Sequence, residues 1–256
     1  MSRAWQSMAD ELARWRDAGR SVEFWWRDDD ATRSVPALER LLALASRSAV
    51  PLALAVVPEA AQGAWLGELG PGSSLLQHGF DHRSRASGDE KKTEFPAAEP
   101  PASALARLAS GREKLSALGG SRALGVLAPP WNRVAHELVP RLPEAGLRGL
   151  SRYGARRSAR AAPGVLEINT HVDLVAWKAG RGFIGEDAAL ELARRHLAAR
   201  RAGEADPREP TGLLTHHAVH DEAAWEFLER FFEVTRREPG VRWRDAAELF
   251  AGGSAP

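Results

Sequence analysis

Short apolar runs of strand length alternate with longer stretches of helical period along nearly the whole chain. Residues 22–26 form the first run and precede 35–49, where Leu38, Leu41, Leu42 and Ala45 share one helical face. The runs 50–57, closed by Pro58, and 75–77 come next. Residues 103–118 carry Leu105, Leu108, Leu115 and Leu118 at helical spacing and stop at Gly119-Gly120. Runs at 123–127, 147–150, 165–168, 212–214 and 241–243 supply further strands, and helical patterns lie at 186–201, 221–237 and 245–250. Seven or eight strand–helix units in this order predict an α/β fold of parallel, barrel-like architecture. Trp5, Met8, Leu12 and Trp15 predict an amphipathic helix within 1–20, packed on a single domain spanning 21–256. Two segments break the rhythm. Residues 83–101 are too long and polar for an ordinary connection, which reads equally as a functional lid or a flexible insertion, and 202–210 reads as a solvated charged loop.

Polar clusters sit where the apolar runs end. The first is Arg27-Asp28-Asp29-Asp30, whose adjacent carboxylates need cations, water or donors around them. A metal ion meets that need, as does a solvated acidic turn or a helix N-cap ahead of Val35. In His78-Gly79-Phe80-Asp81-His82 the two histidines stand at i and i+4, a spacing that suits one shared ion or a surface pair. Gly79 permits a sharp turn there, and Asp81 is placed to orient one imidazole. Pro129-Pro130-Trp131-Asn132-Arg133 is a rigid turn that offers Trp131 as a platform for a sugar ring, with Asn132 beside it. His171 and Asp173 close another run and are read with Trp131 and Asn132 as substrate-binding residues. His216 and His220 repeat the i, i+4 spacing, either as a second metal pair or with one acid–base histidine ahead of a helix capped at Asp221. His136 and His196 lie among charged residues and are read as surface. The carboxyl ends of parallel strands share one face, so these clusters converge on one pocket. Solvated turns do not account for four of them together, and the inventory is that of a metal-assisted hydrolase.

Charge and composition narrow the class. Lys and Arg number 35 against 34 Asp and Glu, which gives no whole-chain attraction to nucleic acid or an anionic membrane. Cysteine is absent, so thiolate metal sites, disulfides and cysteine nucleophiles are excluded. Residues 1–20 have no continuous apolar stretch and 50–57 is too short to span a bilayer, so neither a secretion signal nor a membrane span is expected, and the expected location is cytoplasmic.

The order and spacing of these motifs over residues 22–250 resemble the polysaccharide deacetylase (NodB-homology) superfamily, in a divergent form. The resemblance implies a distorted (β/α) barrel with its site at the strand C-terminal ends, removing N- or O-acetyl groups from sugars with one divalent metal. The family's first motif, T-F-D-D-G, supplies a base aspartate and then a metal-binding one, and its second, H-x-x-x-H, supplies two more ligands. Asp30 and His78 are 48 positions apart, in keeping with the family's layout. If Ala31 stands at the family glycine, Asp29 is the base and Asp30 the ligand; if Asp30 does, the roles pass to Asp28 and Asp29. The first register keeps a small residue at the turn and is preferred, which makes Asp30, His78 and His82 the implied metal ligands. Leu213-Leu214-Thr215-His216 is similar to the fifth motif, L-x-x-H, and gives His216 the role of protonating the leaving group. The arginine of the third motif aligns with Ala128, which leaves Arg133, or Arg27, to orient the base. Trp177 after Asp173 matches part of the fourth motif, whose second aspartate aligns with Ala176.

The implied reaction is hydrolysis of an acetamide or acetyl ester on an acetylated sugar, a glycan precursor or a related small amide. Asp29 takes the water proton, and His216 donates to the departing amine or alkoxide. Two histidines and a carboxylate suit zinc, with cobalt, nickel and iron as alternatives. Two other readings remain open: a catalytically inactive carbohydrate-binding descendant, and a binuclear phosphoesterase with its second ion on His216 and His220.

Overall fold

The computed structural model describes residues 2–251; Met1 and residues 252–256, which belong to the expected segments 1–20 and 21–256, lie outside the described residues. Ten strands follow in chain order: β1 (Val22–Ala31), β2 (Ala53–Val56), β3 (Ser74–Gln77), β4 (Ala123–Leu127), β5 (Gly149–Leu150), β6 (Arg160–Ala162), β7 (Val165–Glu167), β8 (Val172–Asp173), β9 (Thr211–Thr215) and β10 (Val241–Trp243). They form one sheet in the order β6-β7-β5-β4-β3-β2-β1-β9-β8, with β10 added beside the first half of β1. Among the described pairings between these strands only β6–β7 is antiparallel, with one further antiparallel bridge, Val175 to Phe183, outside them. The sheet curls into an open barrel, and residues 168–171 run directly from β7 to β8 across the gap. The short β6 and β8 had no apolar run to announce them.

Side chains alternate across a strand with period two, and β1 shows what this does. Trp25 faces the barrel interior, with Ala53, Ala55, Leu76, Val126 and Ile168. Phe24 and Trp26 face the outer layer, against Phe231 and Phe232 of helix α5 (Glu222–Arg237). The outer layer also takes α2 (Pro36–Ser48), started by a proline at its first turn, and α4 (Glu186–Ala202). Helix α1 (Arg3–Asp17) buries Trp5, Met8, Leu12 and Trp15, and Trp15 Nε1 donates to the Leu197 carbonyl at 3.2 Å. The last helix, α6 (Ala246–Ala251), plugs the amino end of the barrel: Phe250 meets Trp25 edge to face, 6.3 Å between ring centroids. The open end is therefore the carboxyl end of the strands.

Residues 83–100 have no regular structure before α3 (Pro101–Gly119) begins, yet Thr93, Glu94 and Phe95 are buried. Burial pushes the Glu94 carboxyl up, and three backbone N–H groups counter it: Phe80 at 2.8 Å, Asp81 at 3.3 Å and His82 at 3.2 Å. The segment thus props the loop that follows β3. Gly79 makes the close approach possible. Its φ is +63°, and a Cβ there would overlap the Glu94 carboxylate and lie 2.8 Å from Pro130 Cδ. Residues 202–210, expected to be solvated, contain the fully buried Glu209, which accepts from the Arg156 and Asn169 amides at 2.9 and 3.0 Å.

Gly79→Ala combines left-handed strain with overpacking, and it should lower unfolding free energy by about 2–4 kcal/mol in denaturant titrations. A loss below roughly 0.5 kcal/mol would mean that Glu94 moves aside without cost.

Candidate active site at the carboxyl ends of the strands

The site begins with a bulge. Between Asp28, opposite Leu54, and Ala31, opposite Val56, β1 has one residue more than β2. Asp30 absorbs the extra length with φ +73°, a region that aspartate tolerates better than most side chains. The bulge aims Asp30 at the loop after β3. His78 Nε2 and His82 Nε2 lie 3.1 and 3.2 Å from the same oxygen, Asp30 Oδ1. Six non-glycine residues among those described have left-handed φ, and Asp30, His82, Trp131 and Asn132 all belong to this site. Such strain costs on the order of 1–3 kcal/mol per residue and is held by the surrounding contacts.

The hydrogen bonds of His78 decide what these atoms can hold. Its Nδ1 lies 2.8 Å from the Ala128 carbonyl, which only accepts, so Nδ1 carries the proton. In the neutral ring the unprotonated Nε2 then faces a carboxylate oxygen, an arrangement that repels unless a proton or a cation lies between them. Burial would raise the Asp30 carboxyl, but the two imidazoles outweigh it and hold it well below the usual carboxylate range. Burial opposes charge on His78 as well, and Asp29 and Asp30 overcome it to raise its pKa. Two imidazole nitrogens and a carboxylate oxygen within 4.8 Å of one another are a suitable donor set for a divalent ion.

Asp29 is 2% exposed and lies on the same strand face as Arg27. Arg27 Nε and Nη2 donate to its two oxygens at 2.8 and 3.0 Å. The rest of that fully buried guanidinium donates to Ser151 Oγ and O at 2.7 and 2.9 Å and to Asn132 Oδ1 at 2.9 Å. Of the two arginines considered for the base, Arg27 is the one in contact. Arg133 points to the Lys92 carbonyl at 3.0 Å, because the turn directs its side chain away from β1. Asn132 likewise braces Arg27, whereas Trp131 stacks obliquely on His82, 4.6 Å between centroids.

His216 completes the cluster, with Nε2 3.9 Å from Asp29 Oδ2 and Nδ1 4.0 Å from Asp173 Oδ1. Trp177, 45% exposed, sets its ring edge-on to His216 and donates to Asp173 Oδ2 at 2.8 Å. Asp173 therefore lies beside the imidazole, engaged with Trp177. Asp28, on the opposite face of β1, turns to the outer layer. It accepts from His217 Nδ1 at 2.5 Å, the His217 amide at 3.0 Å and Thr215 Oγ1 at 2.6 Å. Asp81 pairs with Arg85 at 2.6 Å and orients no imidazole. His220 Nε2 faces the His216 amide at 3.3 Å, so that pair does not open onto a shared ion.

His171 is not at the pocket. Its ring stacks on His196 of α4, 3.4 Å between centroids, and its Nε2 lies 3.4 Å from Glu209 Oε2. His196 is correspondingly buried, since the face of α4 that carries it also carries Ala189, Ala193 and Leu197; His136 is exposed. His171, His196 and Glu209 also cluster closely enough for an ion. Here, however, His171 Nδ1 accepts the Gly212 amide at 2.9 Å, so its proton is on Nε2 and no lone pair faces Glu209. Turning Nε2 into a ligand would set N–H against N–H. Burial, reinforced by nearby cations, pushes His171 down to about 3 and His196 to about 2.

Both histidines stay neutral in the folded chain and take up protons near pH 6.5 when it unfolds. The unfolded state therefore binds more protons between about pH 6.5 and pH 3, and stability falls on acidification through that window. In circular-dichroism melts from pH 7.5 to 4, His196→Gln should show a shallower loss of Tm than wild type; equal slopes would show that the pair is not the cause.

No family sequence model matches the chain, and no curated protein matches its sequence. Solved structures do. A Mycobacterium smegmatis protein assigned as a polysaccharide deacetylase superposes with a TM-score of 0.66 at 16% identity, over 91% of this chain and 90% of its own. A Pseudomonas aeruginosa PAO1 protein assigned likewise gives 0.60 at 16% identity, over 91% of each. The family 4 acetyl xylan esterase of Clostridium thermocellum, solved with a cobalt ion, gives 0.53 at 13% identity, over 91% of this chain and 93% of its own. The chain has the polysaccharide-deacetylase fold, the (β/α) barrel of the family 4 carbohydrate esterases, in a divergent form.

Proposed function

We propose that this chain is a metal-dependent hydrolase that removes an acetyl group from a sugar or a related small amide. The observation that carries the reading is the convergence of His78 Nε2, whose ring carries a proton on the opposite nitrogen, with His82 Nε2 and Asp30 Oδ1, beside an arginine-held carboxylate and a pocket histidine. A divalent ion held by Asp30, His78 and His82, zinc on the chemistry of the donors, supplies Lewis-acid polarisation of a carbonyl and acidifies water. The chain does the rest. Arg27 occupies one lone-pair direction on each oxygen of Asp29 and leaves a second lone pair on each, so Asp29 serves as the base that takes the water proton. His216, with Nε2 3.9 Å from Asp29 Oδ2, protonates the departing nitrogen or oxygen as the bond to the acyl carbon breaks. Trp177, itself donating to Asp173, sets its ring edge-on against His216. Trp131 and Trp177 present aromatic surface on either side, which suits the apolar face of a sugar ring.

The purified protein should contain about one equivalent of a transition metal, lost in His78→Ala/His82→Ala together with acetate release from acetylated sugars. Full turnover in that double variant would end the metal reading. Two equivalents would favour a second ion, contrary to the backbone amides that occupy His171 Nδ1 and His220 Nε2. His216→Ala should retain metal and lower kcat by roughly 10²–10⁴-fold, and an unchanged kcat would remove it from proton transfer. Arg27→Lys keeps the charge but not the paired contact with Asp29. We expect kcat at least about tenfold lower with metal content unaltered; loss of metal along with activity would make Arg27 structural rather than positioning.

A further inference from the structure

A cavity of about 440 Å³ opens beside the site, separated from it by a single turn of chain. Three consecutive residues make the partition: Trp131 lies on His82, Asn132 accepts from Arg27, and Arg133 lines the cavity. Phe95 and Val134 give it apolar wall, and Lys91, Arg133 and Arg152 bring three cations to it against Glu90 in its lining and Glu167 behind Arg152. Lys91 and Arg133 have no carboxylate partner among the described residues, and one Arg133 nitrogen donates to the Lys92 carbonyl. Arg152 is aimed by its surroundings. Its Nε and Nη2 donate to the buried Glu167 at 2.9 and 2.6 Å, and its amide donates to Asn169 Oδ1 at 2.7 Å, which leaves Nη1 for the cavity. A neutral sugar has no use for two cations without a carboxylate partner and a third, the Arg152 guanidinium, turned to the same cavity. An anion with several oxygens does.

We propose that this cavity is a subsite for an anionic substituent, a phosphate or a carboxylate, on the acetylated sugar; the proposal rests on the deacetylase reading of the adjoining site. The substrate class is then an acidic glycan or an anionic glycan precursor. Lys91 and Arg133 meet the anion from the rim, and Arg152 meets it from the wall.

Equilibrium binding tests this without turnover. Tryptophan fluorescence titrations of the metal-loaded protein would compare N-acetylglucosamine, N-acetylglucosamine 1-phosphate, N-acetylmuramic acid and inorganic phosphate. At least one anionic sugar should bind roughly tenfold or more tightly than N-acetylglucosamine, with the advantage shrinking as salt rises. Lys91→Gln/Arg133→Gln leaves the Arg152–Glu167 pair and the metal ligands intact, and it should abolish most of that advantage. Either sugar anion supports the subsite, and the stronger of the two identifies its chemistry. Equal affinity for charged and neutral sugars overturns it. So does an advantage that survives in the double variant, since the anion would then sit on the metal, and so does free phosphate binding as tightly as its sugar ester. Anion selectivity lost in the double variant, with no acetate released by wild type, would keep the subsite and remove the deacetylase reading.

Discussion

Strand β1 carries four charged side chains in succession, Arg27 to Asp30; the first three are almost closed to water and must find partners there, while Asp30 reaches the open end of the barrel. The pleat sorts them. Arg27 and Asp29 share the inner face and satisfy each other, with Ser151 and Asn132 completing the guanidinium. Asp28 falls on the outer face and takes His217 and Thr215. Asp30, turned out by the bulge, is left to two histidines. The partners come from the segments after β3, β4 and β5 and from the end of β9, so satisfying one tetrapeptide places four other strand ends around it. Buried ion pairs of this kind add little net stability, because desolvation offsets the attraction. Their effect is positional.

Much of this was legible in the chain and some was not, for reasons that are local. The strands that line the site were visible because their apolar runs stop abruptly at polar motifs, and placing those stops on one face brought the acidic run to His78 and His82; the choice of Asp30 within that run came only from the family resemblance. The arginine beside Asp29 is a different matter. Arg133 was the nearer candidate by motif order, but residues two apart on a strand share a face, which makes Arg27 the neighbour of Asp29. His196 was hidden by its sequence neighbours: a helix studded with arginine still has an inner face, and i, i+4 spacing puts the buried Arg200 on it too. Glu94 and Glu209 gave no signal at all, since an irregular segment has no period from which burial can be read.

His78 and His171 are both buried, both at the end of an apolar run, and both near a carboxylate, yet they are chemically opposite. A carbonyl beside Nδ1 of the first leaves Nε2 free to bind a cation, whereas an amide beside Nδ1 of the second puts the proton on Nε2. One backbone group, reversed in polarity, separates a ligand from a packing residue. Counting histidines at strand ends does not reveal that difference; tracing the hydrogen bond on the far side of each ring does.

The segment between β3 and α3 also bears on how this chain can diverge. Connecting segments usually change length at little thermodynamic cost, because they run over the surface. Here residues 83–92 fit that description, while Thr93, Glu94 and Phe95 are as enclosed as any strand. Relatives of this chain are therefore free to gain or lose residues in the first stretch, but an indel reaching Glu94 must also replace the three amide contacts that shape the loop from His78 to His82. In this chain the anchor lies twelve positions after His82, so a change of length confined to 83–92 keeps the loop's three amides satisfied.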